Sequence, residues 1–533
     1  MKQKIERSLA NIASKAEIVK NIQQLVPPGS PEPQNPAVIA DLQALTTDLI
    51  QSYLAVGKLT EDPFGDVWNR QIYLYTAEIR RLVDDKVVLV TGGEGCVGSQ
   101  LIKKLAQLGV RRIISVDKIR GTNASTINFT SEKQIPHAFY AADVRDYETL
   151  KSIFDAEQPS FVFHLAAQRL PWLAEIKIHE TVTTSIFGIE NIIRLCESYN
   201  VQQCVFSSTG KASRYFTCEV YAATKKIAEW QFAQAALQGN TTYSMVRFTH
   251  MLDNSSVCQQ VDNKIEQGKI INLHAPERYI VGQNVGEAVH LLLNALVLSQ
   301  PGKLKFLTVH NLGWPTETLE IALYKIIQSG EQIPIYFQGL IPGYEEAFFL
   351  GQFDWSKPTE IHLLINALEE NFTTVDSSQD MLISEIAPFN LGTLDRHLLL
   401  LQELLVKSDL VEGEIKEYLA VFVKAVVSSS FAWISAQQLL NILRWGVDKK
   451  RLQAEGSSID AHKNIVELIV QELYGKVNAK TLSELKINPK LFDSTIESLE
   501  VLPTINKAVI YFKAISKKYK NSVFSDLLTS KNI

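Results

Sequence analysis

The apolar positions along this chain change their spacing twice. Up to residue 84, stretches such as Pro36 to Leu54 carry apolar residues at helical spacing. They are preceded by Val26-Pro-Pro-Gly-Ser-Pro-Glu-Pro-Gln-Asn-Pro36, too rich in proline for anything but an extended connector. From 85 to 356, short Val/Ile-rich runs alternate with helical patterns, which predicts a parallel sheet covered on both faces by helices. From 357 to 533 the pattern is helical again, over Glu360–Phe372, Thr393–Lys407, Gly413–Ser428, Ser435–Trp445, Ile459–Tyr474 and Ile505–Lys518. The expected architecture is α/β: a doubly wound parallel sheet with a small substrate-binding part, flanked by N- and C-terminal helical extensions.

Composition narrows the function classes. A chain of 533 residues, 46% hydrophobic, suffices for two to four domains with a large core. Its net charge of −5 supplies no basic footprint for nucleic acid, and Lys517-Lys-Tyr-Lys520 reads as a solvated helix face. The N-terminus lacks an apolar signal segment and no charge-free apolar run is long enough to span a bilayer, so a cytoplasmic location is expected. Five scattered cysteines without metal-ligand spacing predict neither disulfides nor a metal site.

One turn gives the middle region its chemistry. Thr91-Gly-Gly-Glu-Gly-Cys-Val-Gly98 lies between the apolar run Lys86-Val-Val-Leu-Val90 and the helical Ser99-Gln-Leu-Ile-Lys-Lys-Leu-Ala106. Gly92 permits the tight turn, Gly95 lets backbone approach a pyrophosphate, and Gly98 lets helix pack closely on strand. With Cys96 and Val97 they form a dinucleotide cradle in which the helix N-terminus offers unpaired N–H groups to phosphate, so the doubly wound sheet is expected to be of Rossmann type. Asp117 ends a second buried strand, Arg112-Ile-Ile-Ser-Val116, where an acid binds the adenosine ribose hydroxyls and favours NAD. Lys118 and Arg120 could instead receive a 2′-phosphate, which leaves NADP open. Asp143, in Ala141-Ala-Asp-Val-Arg-Asp146, is a candidate for the adenine edge or for a helix cap. Val144 and Ala166 complete the expected cofactor set.

A second constellation lies downstream. Tyr221 and Lys225 are one helical turn apart and point at the same spot, where an ammonium would lower the phenol pKa and make a base available near neutral pH. Thr209 can share the substrate proton. Such a trio removes the proton from a sugar alcohol while hydride leaves for nicotinamide, or runs the reverse.

At these residues the chain resembles the extended short-chain dehydrogenase/reductases, and among them the nucleotide-sugar 4,6-dehydratase/epimerase family of polysaccharide biosynthesis. The resemblance runs from about 85 to 346, through Thr91–Gly98, Phe163-His-Leu-Ala-Ala167 with Glu175, Thr184-Ser-Ile-Phe-Gly188, Ser208-Thr-Gly-Lys-Ala212, Tyr221-Ala-Ala-Thr-Lys225, Met245-Val-Arg-Phe248, Arg278-Tyr279 with Glu287-Ala288, and Gly339-Leu-Ile-Pro-Gly343. It implies a tightly held NAD(P), a UDP-linked hexose as substrate, and a homo-oligomer. It implies that Lys225 also holds the nicotinamide ribose, that Lys211 acts on the proton at C5, and that Arg169 and Arg278 contact substrate phosphate. The chain departs from the pattern at Gly210, where the family has the aspartate associated with protonating the leaving hydroxyl, and at Ser185, Thr249-His250 and Ile341. Glu219 and His250 are candidates to replace the lost acid. The expected activity is NAD(P)-dependent modification of a nucleotide sugar through oxidation at C4, as an epimerase or ketoreductase. A 4,6-dehydratase and a non-catalytic dinucleotide-binding scaffold are the alternatives.

Overall fold

The computed structural model describes residues 14–119 and 136–529; Arg120 lies outside them. Fifteen strands follow in chain order: β1 (Val87–Thr91), β2 (Arg112–Asp117), β3 (His137–Ala141), β4 (Phe161–His164), β5 (Gln203–Thr209), β6 (Thr242–Phe248), β7 (His250–Met251), β8 (Ile271–Leu273), β9 (Tyr279–Ile280), β10 (Gly282–Gln283), β11 (Lys305–Val309), β12 (Thr316–Glu317), β13 (Ile335–Phe337), β14 (Thr374–Val375) and β15 (Met381–Glu385). Nine build one sheet in the order β14-β15-β11-β6-β5-β4-β1-β2-β3. The seven strands from β11 to β3 run parallel, and β15 and β14 close the far edge antiparallel. Every residue of β1 and β4 is buried, as expected of strands covered on both faces. The order reverses between β1 and β4, and the crevice beyond the carboxyl ends of those strands is where a doubly wound sheet binds its ligand.

The terminal regions attach to different parts of this unit. Helices Lys15–Leu25 and Pro36–Ala55 share an apolar core with the small part built on β8 and β13, in which Ile18, Ile22, Leu42 and Leu49 meet Leu273, Leu323, Ile335 and Phe337. The helices from Leu391 onward pack on the other side. Leu419, Phe422 and Val423 join a core with Val220, Ala223, Ile227 and Trp230 of the helix Val220–Gln238. That helix is consequently buried almost all round, Lys225, Lys226 and Glu229 included.

The expected helix over Glu360–Phe372 and the boundary after 356 are corrected. The segment is a series of turns ending in a single 3-10 turn at Glu370–Phe372, and β14 and β15 beyond it belong to the main sheet. Side chains whose partners are distant in sequence hold it out of helical form. His362 Nε2 meets the carbonyl of Val309 at 2.9 Å, and Asn366 Nδ2 donates to the carbonyl of Ser213 at 2.9 Å. Arg247, wholly buried, donates to Glu369, Glu229 and the carbonyl of Leu364. Such a charged cluster is tolerable in a dry interior only because every member is paired.

Candidate functional site

The glycine turn forms one end of the site. Gly92 has φ +69°, and a Cβ there would lie 2.8 Å from the amide nitrogen of Ala166. At Gly98 a Cβ would lie 2.2 Å from the carbonyl oxygen of Gly92, so no side chain fits between helix and strand. At Gly95, by contrast, a Cβ would meet only the Gly92 oxygen, at 3.2 Å, and the space in front is open. Gly95 caps the helix Cys96–Leu105 with no side-chain hydrogen bond, leaving the first N–H groups of that helix free for an anion. The cradle fits a dinucleotide pyrophosphate.

From this turn a cleft of about 940 Å³ runs across the carboxyl ends of the strands. Of the expected cofactor, catalytic and substrate residues it brings together all but Asp143: Gly92, Gly95, Cys96, Val97, Gly98, Asp117, Val144 and Ala166 around the glycine turn, Thr209, Lys211, Tyr221 and Lys225, and Arg169 and Arg278; the acid candidate Glu219 does not line it. Asp117 Oδ2 accepts from the N–H of Glu94 at 3.2 Å, and Oδ1 from that of Lys118 at 2.8 Å. Asp143 is the residue left out of the lining. Its carboxylate is held by Arg145 at 2.6 Å and Lys118 at 3.1 Å, and Asp146 rather than Asp143 caps the helix Tyr147–Glu157. Lys118 is further occupied by Glu180 at 3.2 Å. His164 is wholly buried and shares a hydrogen bond of 2.7 Å with Thr91.

The central trio is assembled by β5 and the helix that follows. Thr209 ends β5, and Tyr221 and Lys225 sit on the first turns of Val220–Gln238. Lys225 Nζ donates to the carbonyl of Ser207 at 2.8 Å and stands 4.6 Å from the centre of the Phe206 ring. Burial pushes it down to about 7, against the pull of Glu229. Tyr221 is corrected in one respect: burial raises its phenol above the ordinary value, and the opposing influence is a hydrogen bond with Thr209 rather than the lysine. A dry site disfavours the charged form of each group by the same physics, which raises the tyrosine and lowers the lysine.

Beside this trio the expected acid candidates are occupied. Glu219 accepts from Lys211 at 2.7 Å and from Arg214 at 3.2 Å, and it is almost wholly buried. Lys211 Nζ also donates to the carbonyl of Gly343 at 2.7 Å, and burial lowers its pKa. His250 is pushed down to about 4 by burial and bonds Ser255 at 2.7 Å, which disfavours the charged imidazolium that a general acid would need. Arg169 and Arg278 differ from Arg214 and Arg247: among the described residues neither has a carboxylate within ion-pair distance, and both face the cleft.

The sequence did not reveal the wall opposite Gly210. Leu363 and Leu364 line the cleft, and a Cβ at Gly210 would lie 2.8 Å from Leu364 Cδ2 and 2.9 Å from its Cγ. Glycine is therefore the residue that this wall admits. The leucines lie in the stretch expected to be helical, and nothing local in the sequence pairs position 364 with position 210. Thr184 is a second lining residue left unassigned; its hydroxyl is buried without a partner among the described residues, in the π-helical turn Thr183–Phe187. Such single-turn π segments are frequent at functional sites.

Sheet order, glycine turn and Tyr–Lys pair together define the extended short-chain dehydrogenase/reductase type. Residues 88–352, just under half of the chain, match the family described as polysaccharide biosynthesis protein, and the chain is similar to that family through this segment. It is similar to the capsular polysaccharide biosynthesis protein CapD of Staphylococcus aureus, 28% identical over 355 residues that cover 61% of this chain and 58% of that protein. It is also similar to the UDP-N-acetylglucosamine 4,6-dehydratase (inverting) of Campylobacter jejuni, 30% identical over 194 residues covering 35% of this chain and 56% of the other. A UDP-glucose 4-epimerase of Rickettsia conorii is 25% identical over 263 residues, 47% of this chain and 73% of the epimerase. The chain thus spans little more than half the length of the capsular protein and of the dehydratase. No helix among the described residues is long and apolar enough to cross a membrane.

Proposed function

We propose that this chain modifies a nucleotide-activated sugar by NAD-dependent redox chemistry at C4, as an epimerase or ketoreductase. The observation that carries this reading is that Thr209, Tyr221 and Lys225 line one cleft together with the glycine cradle and with Arg169 and Arg278, two arginines without an ion-pair partner among the described residues. A nicotinamide dinucleotide held by Gly92–Gly98 and Asp117 would supply the hydride acceptor and donor. Asp117 at the cleft, with Lys118 already engaged by Asp143 and Glu180, supports NAD over NADP. Arg169 and Arg278 offer forked donors suited to a diphosphate, in keeping with a UDP-linked substrate.

The proton inventory supports the reducing direction in particular. Tyr221, with its raised pKa, keeps its proton at neutral pH and can give it to the C4 oxygen, with Thr209 holding that oxygen in line. In the oxidising direction the hydrogen bond with Thr209, which opposes the rise in the phenol's pKa, eases formation of the tyrosinate that accepts the proton.

Similarity to a 4,6-dehydratase favours loss of water as a second reading. Against it stand Gly210, which has no proton to transfer, the apolar Leu364 over it, and the ion-paired Glu219. A positioned acid contributes of order 10²–10⁴ in rate, so dehydration should be slow. Incubation with UDP-hexoses and UDP-N-acetylhexosamines, reading product mass and configuration at C4, tests both readings. Tyr221→Phe should remove turnover while leaving NAD affinity nearly intact, and full activity in that variant overturns the assignment. Rapid formation of a product lighter by one water would replace the first reading with the second.

A further inference from the structure

The backbone just before Arg278 is held by a carboxylate that does not line the cleft. Glu317, on β12, is 2% exposed, and β12 pairs antiparallel with β9 in a register that sets Glu317 opposite Tyr279. The N–H of Thr318 donates to the carbonyl of Arg278 at 2.7 Å. The Glu317 carboxylate itself accepts from the N–H of Glu277 at 3.2 Å. Glu277 has φ +56°, a left-handed conformation that a residue with a Cβ adopts at a cost and keeps only where its surroundings hold it. Glu317 is thus the group that fixes the backbone immediately before Arg278.

What fixes Glu317 comes from far away in the chain. Lys15 Nζ reaches its two oxygens at 2.7 and 2.9 Å, and the Tyr53 hydroxyl donates to Oε2 at 2.6 Å. Lys15 also stands 5.3 Å from the centre of the Tyr53 ring, so the two tethers support each other. Both belong to the N-terminal extension, outside residues 88–352 that carry the family match.

We infer that Glu317, tethered by Lys15 and Tyr53, is a positioning residue for Arg278, and that the N-terminal extension thereby sets the affinity of the cleft for the diphosphate of its substrate. This rests on the reading of Arg278 as a diphosphate ligand. The mechanism is pre-organisation. An arginine whose backbone is already fixed loses less freedom on closing around phosphate, and removing the tethers returns that cost to the binding step.

The test uses the full chain, with UDP as the probe in calorimetry and NAD binding followed by tryptophan fluorescence. Replacing Glu317 itself risks the fold, so the tethers are changed: Tyr53→Phe and Lys15→Met, singly and together, with Lys15→Arg as the conservative variant. Arg278→Ala should weaken UDP about tenfold, the scale of a lost charge-assisted contact. The double tether variant should weaken UDP about threefold to tenfold, leave NAD affinity unchanged, and raise KM for the nucleotide sugar with kcat retained; Lys15→Arg should restore most of it. Unchanged UDP affinity in the double variant, with Arg278→Ala impaired, overturns the tether and leaves the arginine's role standing. Unchanged affinity in Arg278→Ala removes the arginine's role and the tether together. A parallel fall in UDP and NAD affinity would show general loosening and equally overturn the proposal.

Discussion

At the N-terminal side of the cleft, Lys15, a third exposed, and Tyr53 reach a carboxylate that steadies a binding loop. At the C-terminal side, Lys416 pairs at 2.6 Å with Glu175, whose other oxygen accepts from the N–H of Val220 at 2.7 Å, at the first turn of the helix that carries Tyr221 and Lys225. Each extension therefore ends in an ion pair that fixes one half of the site. They differ in what lies behind the pair. The N-terminal helices pack on the small part around β8 and β13, whose apolar cluster is separate from those flanking the main sheet. The C-terminal helices pack directly on the helix Val220–Gln238 and share a single core with it. The N-terminal contact adjusts a loop, whereas the C-terminal contact is part of what makes the helix of Tyr221 and Lys225 a buried one.

The largest expected effect follows from that difference. Truncation before Leu391 would expose Ile178, Val182, Ile186 and Ile227, all now buried. At about 1.5–3 kcal/mol for each side chain, the loss rivals the whole margin of about 5–15 kcal/mol that holds a domain folded. Such a protein should be recovered unfolded or aggregated and without NAD binding. Truncation of residues 1–55 should instead weaken UDP binding while the sheet, and NAD binding, persist. Circular dichroism and cofactor titration on the two truncations would check this. A C-terminally shortened chain that folds and binds NAD would break the comparison.

A smaller effect is expected where residues 357–372 meet the catalytic loop. Gly210→Asp should cost about 1–3 kcal/mol, the range for overpacking a filled interior, because Leu364 stands where the new side chain must go. It should give no product lighter by water. Gly210→Asp with Leu364→Ala should recover most of the stability, measured as the shift in Tm. If the single variant is as stable as the parent, the wall is not rigid and Arg247 does not anchor it.

Legibility followed the distance over which each feature is specified. The glycine turn, Asp117 and the Tyr221–Lys225 spacing are local: each is written within a few residues, and all of them line one cleft. The strand order follows from short βα alternation and the connections it permits. The Glu317 tether joins residues 302 positions apart, and the Leu364 wall depends on Arg247 and Glu369, 122 apart. Neither leaves a periodic signal. The stretch 360–372 has a helical pattern because its leucines are apolar at nearly helical intervals, while the residues that decide its path are His362, Asn366 and Glu369, buried polar groups with partners far away in the sequence. The Tyr221 phenol departs from expectation for a related reason: its pKa follows from burial, which the residues next to it in sequence do not specify.

The smallest effect separates the two sides by pH. Burial on the catalytic side pushes Lys225 down to about 7 and Lys226 to about 8, from an ordinary value near 10.5. The folded-state value lies below the unfolded one, so between about pH 7 and 10 the unfolded chain binds the proton that the folded chain has released. Stability must then rise with pH across that window, by at most about 1.4 kcal/mol per pH unit for each such lysine. Below pH 7 both states are protonated at Lys225 and its contribution to the slope vanishes. Lys225→Met should accordingly flatten the rise by up to one proton's worth while leaving the profile below pH 6 parallel to the parent's. Lys15→Met, at a partly exposed lysine on the other side, should shift the whole curve by about 1 kcal/mol or less without changing its slope between pH 7 and 9. Urea denaturation at half-unit pH intervals measures both. An unchanged slope in Lys225→Met would mean that Lys225 keeps its charge when buried, and that the dryness of the catalytic helix does not extend to its ammonium.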